Sequence, residues 1–162
     1  MEIFESIEIM SKRVGVFIDA NNLYYFLRRK YRDRKLDYKA YLQFVEDLGE
    51  ITQSIVYGCQ HPKDASPFIS SLKHIGFETN FFGNKMFPIN CCGRMAVDIL
   101  THVTDYDTII IGSNDVNLLS LIKYLTEQGI KVILFASNIG KVWSDIVENT
   151  IEIPESLLEE KK

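Results

Sequence analysis

The alternation of short apolar runs with segments of helical spacing limits what this 162-residue chain can fold into more than any other feature. Val14 to Ile18, Thr108 to Ile111 and Ile130 to Phe135 are largely apolar runs of strand length rich in β-branched residues, and Ile51 to Tyr57 and Phe77 to Phe82 are strand-like. Continuous apolar runs of this kind suit strands covered on both faces. Between them, Asn22 to Tyr31, Tyr38 to Leu48, Ser66 to His74, Arg94 to Val103, Val116 to Gln128 and Lys141 to Val147 read as helices. Leu23, Phe26 and Leu27, then Tyr41, Leu42, Val45 and Leu48, recur at the helical period. Gly49, Gly76 and Gly129 stand where helices end. Strands alternating with helices predict one three-layer α/β domain, with a mostly parallel central sheet of about five to six strands. It spans residues 13–153, with Thr150 to Ile153 as an edge strand. Residues 1–12 form an N-terminal extension, 154–162 a charged tail, and 83–93 (GNKMFPINCCG) a longer loop or hairpin.

Composition narrows the setting. No apolar run approaches the roughly 20 residues of a membrane span, and the N-terminus lacks the basic and apolar regions of a signal peptide. A cytoplasmic location without membrane contact is therefore expected. The three cysteines, two of them adjacent at Cys91 and Cys92, give no disulfide framework. A zinc site from Cys59, His61 and the adjacent pair would lack the spaced ligand pairs that structural zinc takes; buried or idle thiols fit better. Nothing here sets the oligomeric state, and a homo-oligomer stays open.

Net charge is −4, so the chain as a whole does not attract nucleic acid. Locally the balance reverses: Arg28, Arg29, Lys30, Arg32, Arg34 and Lys35 put six cations into eight residues. A solvated helix end, where cations suit the dipole, would explain the run equally well.

The chemistry gathers where strands stop. Ligand sites in open parallel sheets lie beyond the carboxyl ends of the strands, at the switch point of strand order. The first strand ends in Asp19-Ala20-Asn21-Asn22, and the Thr108 strand gives way to Gly112-Ser113-Asn114-Asp115. If these strands are neighbours, Asp19 and Asp115 enter one crevice, and Asp98 joins them if its helix precedes the Asp107 strand at that sheet edge. Carboxylates brought together repel unless protonated or joined by a cation. An oxygen-only set points to Mg2+ or Mn2+, which holds phosphate oxygens and activates water. Against this, each aspartate alone could be a helix N-cap.

Other chemistries find less support. There is no GxGxxG after the first strand and no GxxxxGK[ST] anywhere. Ser113 lies in GSND, not GxSxG. Asn21 stands where a phosphoaspartyl phosphatase would carry its second aspartate, and His74 and His102 fall inside helical segments.

The residues also resemble a family. VFIDANNLYY is similar to the opening DGxNLY motif of NYN domains, a group that includes LabA-like bacterial proteins and belongs to the PIN-like nuclease superfamily. AVDILTHVTD resembles the central K-x-VDV acid motif, IIIGSNDVNLLSLIKYLTEQGIKV the SGDSDFxPLIxxLxxxGxxV segment, and WSDIVENTIEI the closing stretch. The resemblance runs in order from residue 14 to about 153. It implies a PIN-like fold with the first strand beside the fourth, and Mg2+- or Mn2+-dependent cleavage of RNA. Asp19, Asp98 and Asp115 match the catalytic, metal-holding acids. Asn22 and Ser113 match positions that orient an acid or meet substrate. Arg28, Arg29, Lys30, Arg32 and Arg34 would contact the RNA backbone, and Tyr24 and Tyr25 would stack bases where exposed.

The departures define an alternative. Ala20 and Asn114 stand where glycine is usual, the family's lysine has only Arg94 nearby, and Asn117 replaces the second aspartate. An amide can still hold a metal or its water but brings no charge. The chain therefore reads as a metal-dependent ribonuclease, with a non-catalytic RNA-binding module carrying an impaired acid site as the alternative. A phosphatase or nucleotide hydrolase on the same acids also remains open.

Overall fold

A computed structural model describes residues 12–83 and 91–160. The strands are β1 (Arg13–Asp19), β2 (Glu50–Gly58), β3 (Glu78–Phe81), β4 (Thr108–Gly112), β5 (Lys131–Ala136) and β6 (Asn149–Glu152). The helices are α1 (Ala20–Tyr31), α2 (Tyr38–Glu46), α3 (Ser66–Ile75), α4 (Cys91–Thr101), α5 (Leu119–Glu127) and α6 (Lys141–Ser144). The six strands form one sheet in the order β3-β2-β1-β4-β5-β6, and every pairing is parallel. The expected neighbours meet: Ile18 of β1 pairs with Gly112 of β4. Strand order reverses between them, so the switch point lies where Asp19 and Asp115 leave the sheet.

Period-two alternation splits the core into two layers. Val14, Val16, Ile18, Ile110, Ile133 and Phe135 pack beneath α1, α2 and α3 with Leu23, Leu27, Tyr41 and Leu72. Phe17, Ile109, Ile111, Val132 and Leu134 face the other way, against Met95, Ile99, Leu121, Ile122 and Leu125 of α4 and α5. Every residue of β4 is buried, as a central strand covered by helices requires.

Several boundaries differ from expectation. Gly76 and Gly129 do take positive φ, +120° and +80°, closing α3 and the turn after α5. Gly49 does not; a Cβ there would meet Val14 at 2.7 Å, so close packing is its reason. The helix predicted from Val116 starts as a 3-10 turn, Val116–Leu118, before α5 proper. Residues 91–93, read as loop, open α4, while the rest of that expected loop, 84–90, lies outside the described residues. So does nearly all of the N-terminal extension. The C-terminal tail packs on the domain: Leu158 is buried and bridges antiparallel to Leu36. Among the described residues no helix is long and apolar enough to cross a membrane.

Candidate carboxylate site at the sheet crest

Asp19 ends β1 and caps α1, its carboxylate accepting from Asn22 N at 3.1 Å. It is 5% exposed. Burial holds its proton-binding affinity above the ordinary carboxylate value, and the charge of Asp115 pushes the same way. Backbone N–H groups of Asn22 and Asn21 and the Cys91 thiol pull it back. Asp115 follows β4 and caps the 3-10 turn, accepting from Asn117 N at 2.9 Å. The two acids thus act as N-caps and also face one another electrostatically; the cap and the site are the same residues.

An amide clamp fixes their separation. Asn22 Nδ2 donates to Asn114 Oδ1 at 2.8 Å, and Asn114 N donates back to Asn22 Oδ1 at 3.1 Å. Asn114 Nδ2 donates to the carbonyls of Ser137 and Asn138, and Trp143 Nε1 donates to Asn114 O at 2.8 Å. The turns after β1, β4 and β5 are therefore tied through one side chain. Ser113 is fully buried and accepts from Asp115 N at 3.2 Å, so its hydroxyl shapes the turn.

Asp98 is engaged by a tyrosine, Tyr57, whose Cα pairs in register with Asp19. Asp98 lies seven residues along α4 from Cys91, about 10 Å at 1.5 Å per residue. There it accepts from Tyr57 OH at 2.6 Å. With Gln53, Ile55, Glu78, Thr79, Asn80 and His102 it lines a separate cavity of about 250 Å3 near the β3 edge. Burial first, and Asp98 second, push the Tyr57 phenol far up. The first turn of α4, which does reach the crest, carries Cys91 and Cys92. Both are buried, and burial raises both thiols, with Asp19 acting on Cys91 and Asp115 on Cys92. Sequence reasoning read these thiols as buried or idle because they give neither a disulfide framework nor spaced zinc ligands, and buried they are. It also treated Asn114 only as a stand-in for glycine, although its place between two strand-end turns was a usable signal.

Asn117 is exposed on the turn beside Asp115. The cation run is partly engaged already. Arg28 pairs with Asp33, Lys30 with Glu152 at 3.3 Å and Arg34 with Glu155 at 2.7 Å. Arg28 and Arg29 also reach back to the hydroxyls of Tyr24 and Tyr25, and lie over those exposed rings. Among the described residues, Arg29 and Arg32 have no carboxylate within ion-pair distance. A cavity of about 650 Å3 starts at Ala20 and Asn21 beside Asp19 and runs past Tyr24 and Phe68 to Arg34 and Lys35.

Two carboxylates suit a hard cation, since Mg2+ is commonly held by one or two carboxylates, waters and substrate phosphates. They do not form a closed protein cage: among the described residues no three His, Cys, Asp or Glu side chains are arranged to hold a metal ion.

Fold and site together define a doubly wound α/β domain with paired acids at its switch point and no glycine-rich phosphate loop. More narrowly, the chain belongs to the NYN domain family, whose sequence model matches residues 13–152. No curated protein matches it. A crystal structure of a protein of unknown function from Vibrio parahaemolyticus is similar, with a TM-score of 0.81 at 20% identity, covering 93% of this chain and 98% of that one. At that identity the likeness concerns the fold alone.

Proposed function

We propose that this protein is a divalent-cation-dependent ribonuclease of NYN type, of the LabA-like branch its motifs resemble, working through Asp19 and Asp115. The observation that carries the reading is the electrostatic one. A carboxylate 5% exposed, capped by backbone N–H groups and raised by burial and by a second carboxylate, is a group that a cation would relieve.

Asp19 and Asp115 would hold Mg2+ or Mn2+, with the exposed Asn117 beside them as an amide ligand or a partner for bound water. Such an ion polarises a phosphate and lowers the pKa of water. The Asn22–Asn114 clamp keeps the two acid-bearing turns at one spacing, so little reorganisation accompanies loading. The cavity from Asn21 to Lys35 gives an extended chain a path away from the acids. Arg29 and Arg32 supply backbone contacts, and Tyr24 and Tyr25 offer exposed rings for base stacking.

The test is cleavage of a labelled mixed-sequence single-stranded RNA in Mg2+ and Mn2+, with Asp115→Ala purified in parallel. Cleavage lost in the variant and with chelator supports the reading; equal cleavage by both proteins removes it. Asp98, the third acid the family implies, is probed by Asp98→Asn. Activity disappears if that carboxylate reaches the ion and stays if Tyr57 keeps it.

One observation favours the non-catalytic alternative, an RNA-binding NYN module. Asn117 lacks a charge and Asp98 is engaged by Tyr57. RNA binding without cleavage in either metal, together with no calorimetric Mn2+ binding, would establish it instead.

A further inference from the structure

The fold gathers all three cysteines around the two acids. Cys59 follows β2, and Cys91 opens α4, 32 residues on; their sulfurs lie 3.3 Å apart. Each is held from its own side. Cys59 N donates to Asn21 Oδ1 at 2.9 Å, and Gly83 packs so closely that a Cβ there would sit 1.9 Å from the Cys59 carbonyl oxygen. Cys91 is anchored by the buried face of α4, which continues through Met95 and Ile99. Cys92 is turned to Asp115 instead. Cys59 is partly exposed, whereas Cys91 is 2% exposed.

We propose that Cys59 and Cys91 are a peroxide-sensitive modification site, closing to a reversible disulfide at the edge of the carboxylate site. Bonding needs the sulfurs to approach to about 2.05 Å, a movement on the order of 1 Å. The exposed partner reacts first. The Cys59 thiolate attacks one oxygen of hydrogen peroxide, breaking the O–O bond and leaving a sulfenic acid and hydroxide. The Cys91 sulfur then attacks the Cys59 sulfur, the S–O bond breaks, and the departing hydroxide takes the Cys91 proton as water. Two thiols lose two hydrogens in all, and one peroxide becomes two waters. The disulfide removes the thiol proton beside Asp19 and ties the segment after β2 to the first turn of α4. Disulfides that do form in reducing compartments are usually transient. The cross-link rests on the thiol geometry and stands whether or not the site cleaves RNA.

The experiment treats the full reduced chain with about one equivalent of hydrogen peroxide. Remaining thiols are then alkylated under denaturing conditions, and intact and peptide masses are measured. The expected product is a monomer carrying one alkyl group, at Cys92, where the reduced chain carries three, with a Cys59–Cys91 cross-linked peptide two hydrogens lighter than its two parts and full reversal by dithiothreitol. Cys59→Ser and Cys91→Ser should each lose the cross-link, and Cys92→Ser should keep it. If Cys91→Ser fails to fold, Cys59→Ser, at the more exposed position, carries the same test. A Cys91–Cys92 link, disulfide-joined dimers, or Cys59 carrying two added oxygens with Cys91 still alkylatable would each overturn the proposal.

Discussion

Asp19→Asn tests the electrostatic core of the site without depending on any substrate. Removing an ionised carboxylate from a position 5% exposed recovers a desolvation penalty of several kcal/mol. Against that, the charged form gains from hydrogen bonds with Asn22 N, Asn21 N and the Cys91 thiol, each contributing about 1.5–3 kcal/mol at most. Asparagine keeps an acceptor for the cap. Because the folded-state proton affinity is raised, the penalty outweighs the hydrogen bonds. The sign follows directly. A carboxyl raised on folding favours the folded state only while protonated, so wild-type stability falls as pH rises from the ordinary aspartate value of 3.8 through the raised one. Metal-free Asp19→Asn should therefore unfold above wild type at pH 7, by roughly 2–4 °C for each kcal/mol recovered, with the gap closing near pH 3. Circular dichroism melts at both pH values measure it. An Asp19→Asn protein less stable than wild type by the same amount at both would refute the reasoning, leaving Asp19 a cap and nothing more.

Saturating Mn2+ should reverse the order at pH 7: at a hundredfold excess over the dissociation constant a bound ion adds about 2.7 kcal/mol to wild type, and Asp19→Asn should gain almost none in the same melt. Trp143→Phe leaves the Asn114 carbonyl without its donor, so thermal unfolding should report a loss of about 1–2 kcal/mol, alongside a weaker Mn2+ response as the clamp loosens. Arg29→Ala with Arg32→Ala should weaken single-stranded RNA binding and flatten the slope of log affinity against log salt by about 0.7 per lost contact. Unchanged slopes in a filter-binding titration would take both arginines off the RNA path.

The layout of the domain was legible because it is written locally. Apolar runs with β-branched residues mark strands, and period-3.6 faces mark α1, α2 and α5 whatever surrounds them. Asp19 and Asp115 were legible for the same reason, since a polar residue ending a buried strand must sit at the sheet edge. Asp98 was legible only in part. Its position on a helix could be read, but the distance of that helix turn from the crest depends on how α4 slides along the sheet. Burial of Met95 and Ile99 sets that offset, bringing Cys91 and Cys92 to the acids and Asp98 to Tyr57.

By itself, then, the sequence determined the elements, their parallel class and the two acids at strand ends, because backbone sterics and side-chain periodicity act between near neighbours. Tertiary structure alone decided the Asn22–Asn114 clamp, the engagement of Lys30 and Arg34 by distant glutamates, and the meeting of Cys59 with Cys91. Each of these joins residues far apart in the chain, and only the packing of helices on a twisted sheet fixes which of them touch.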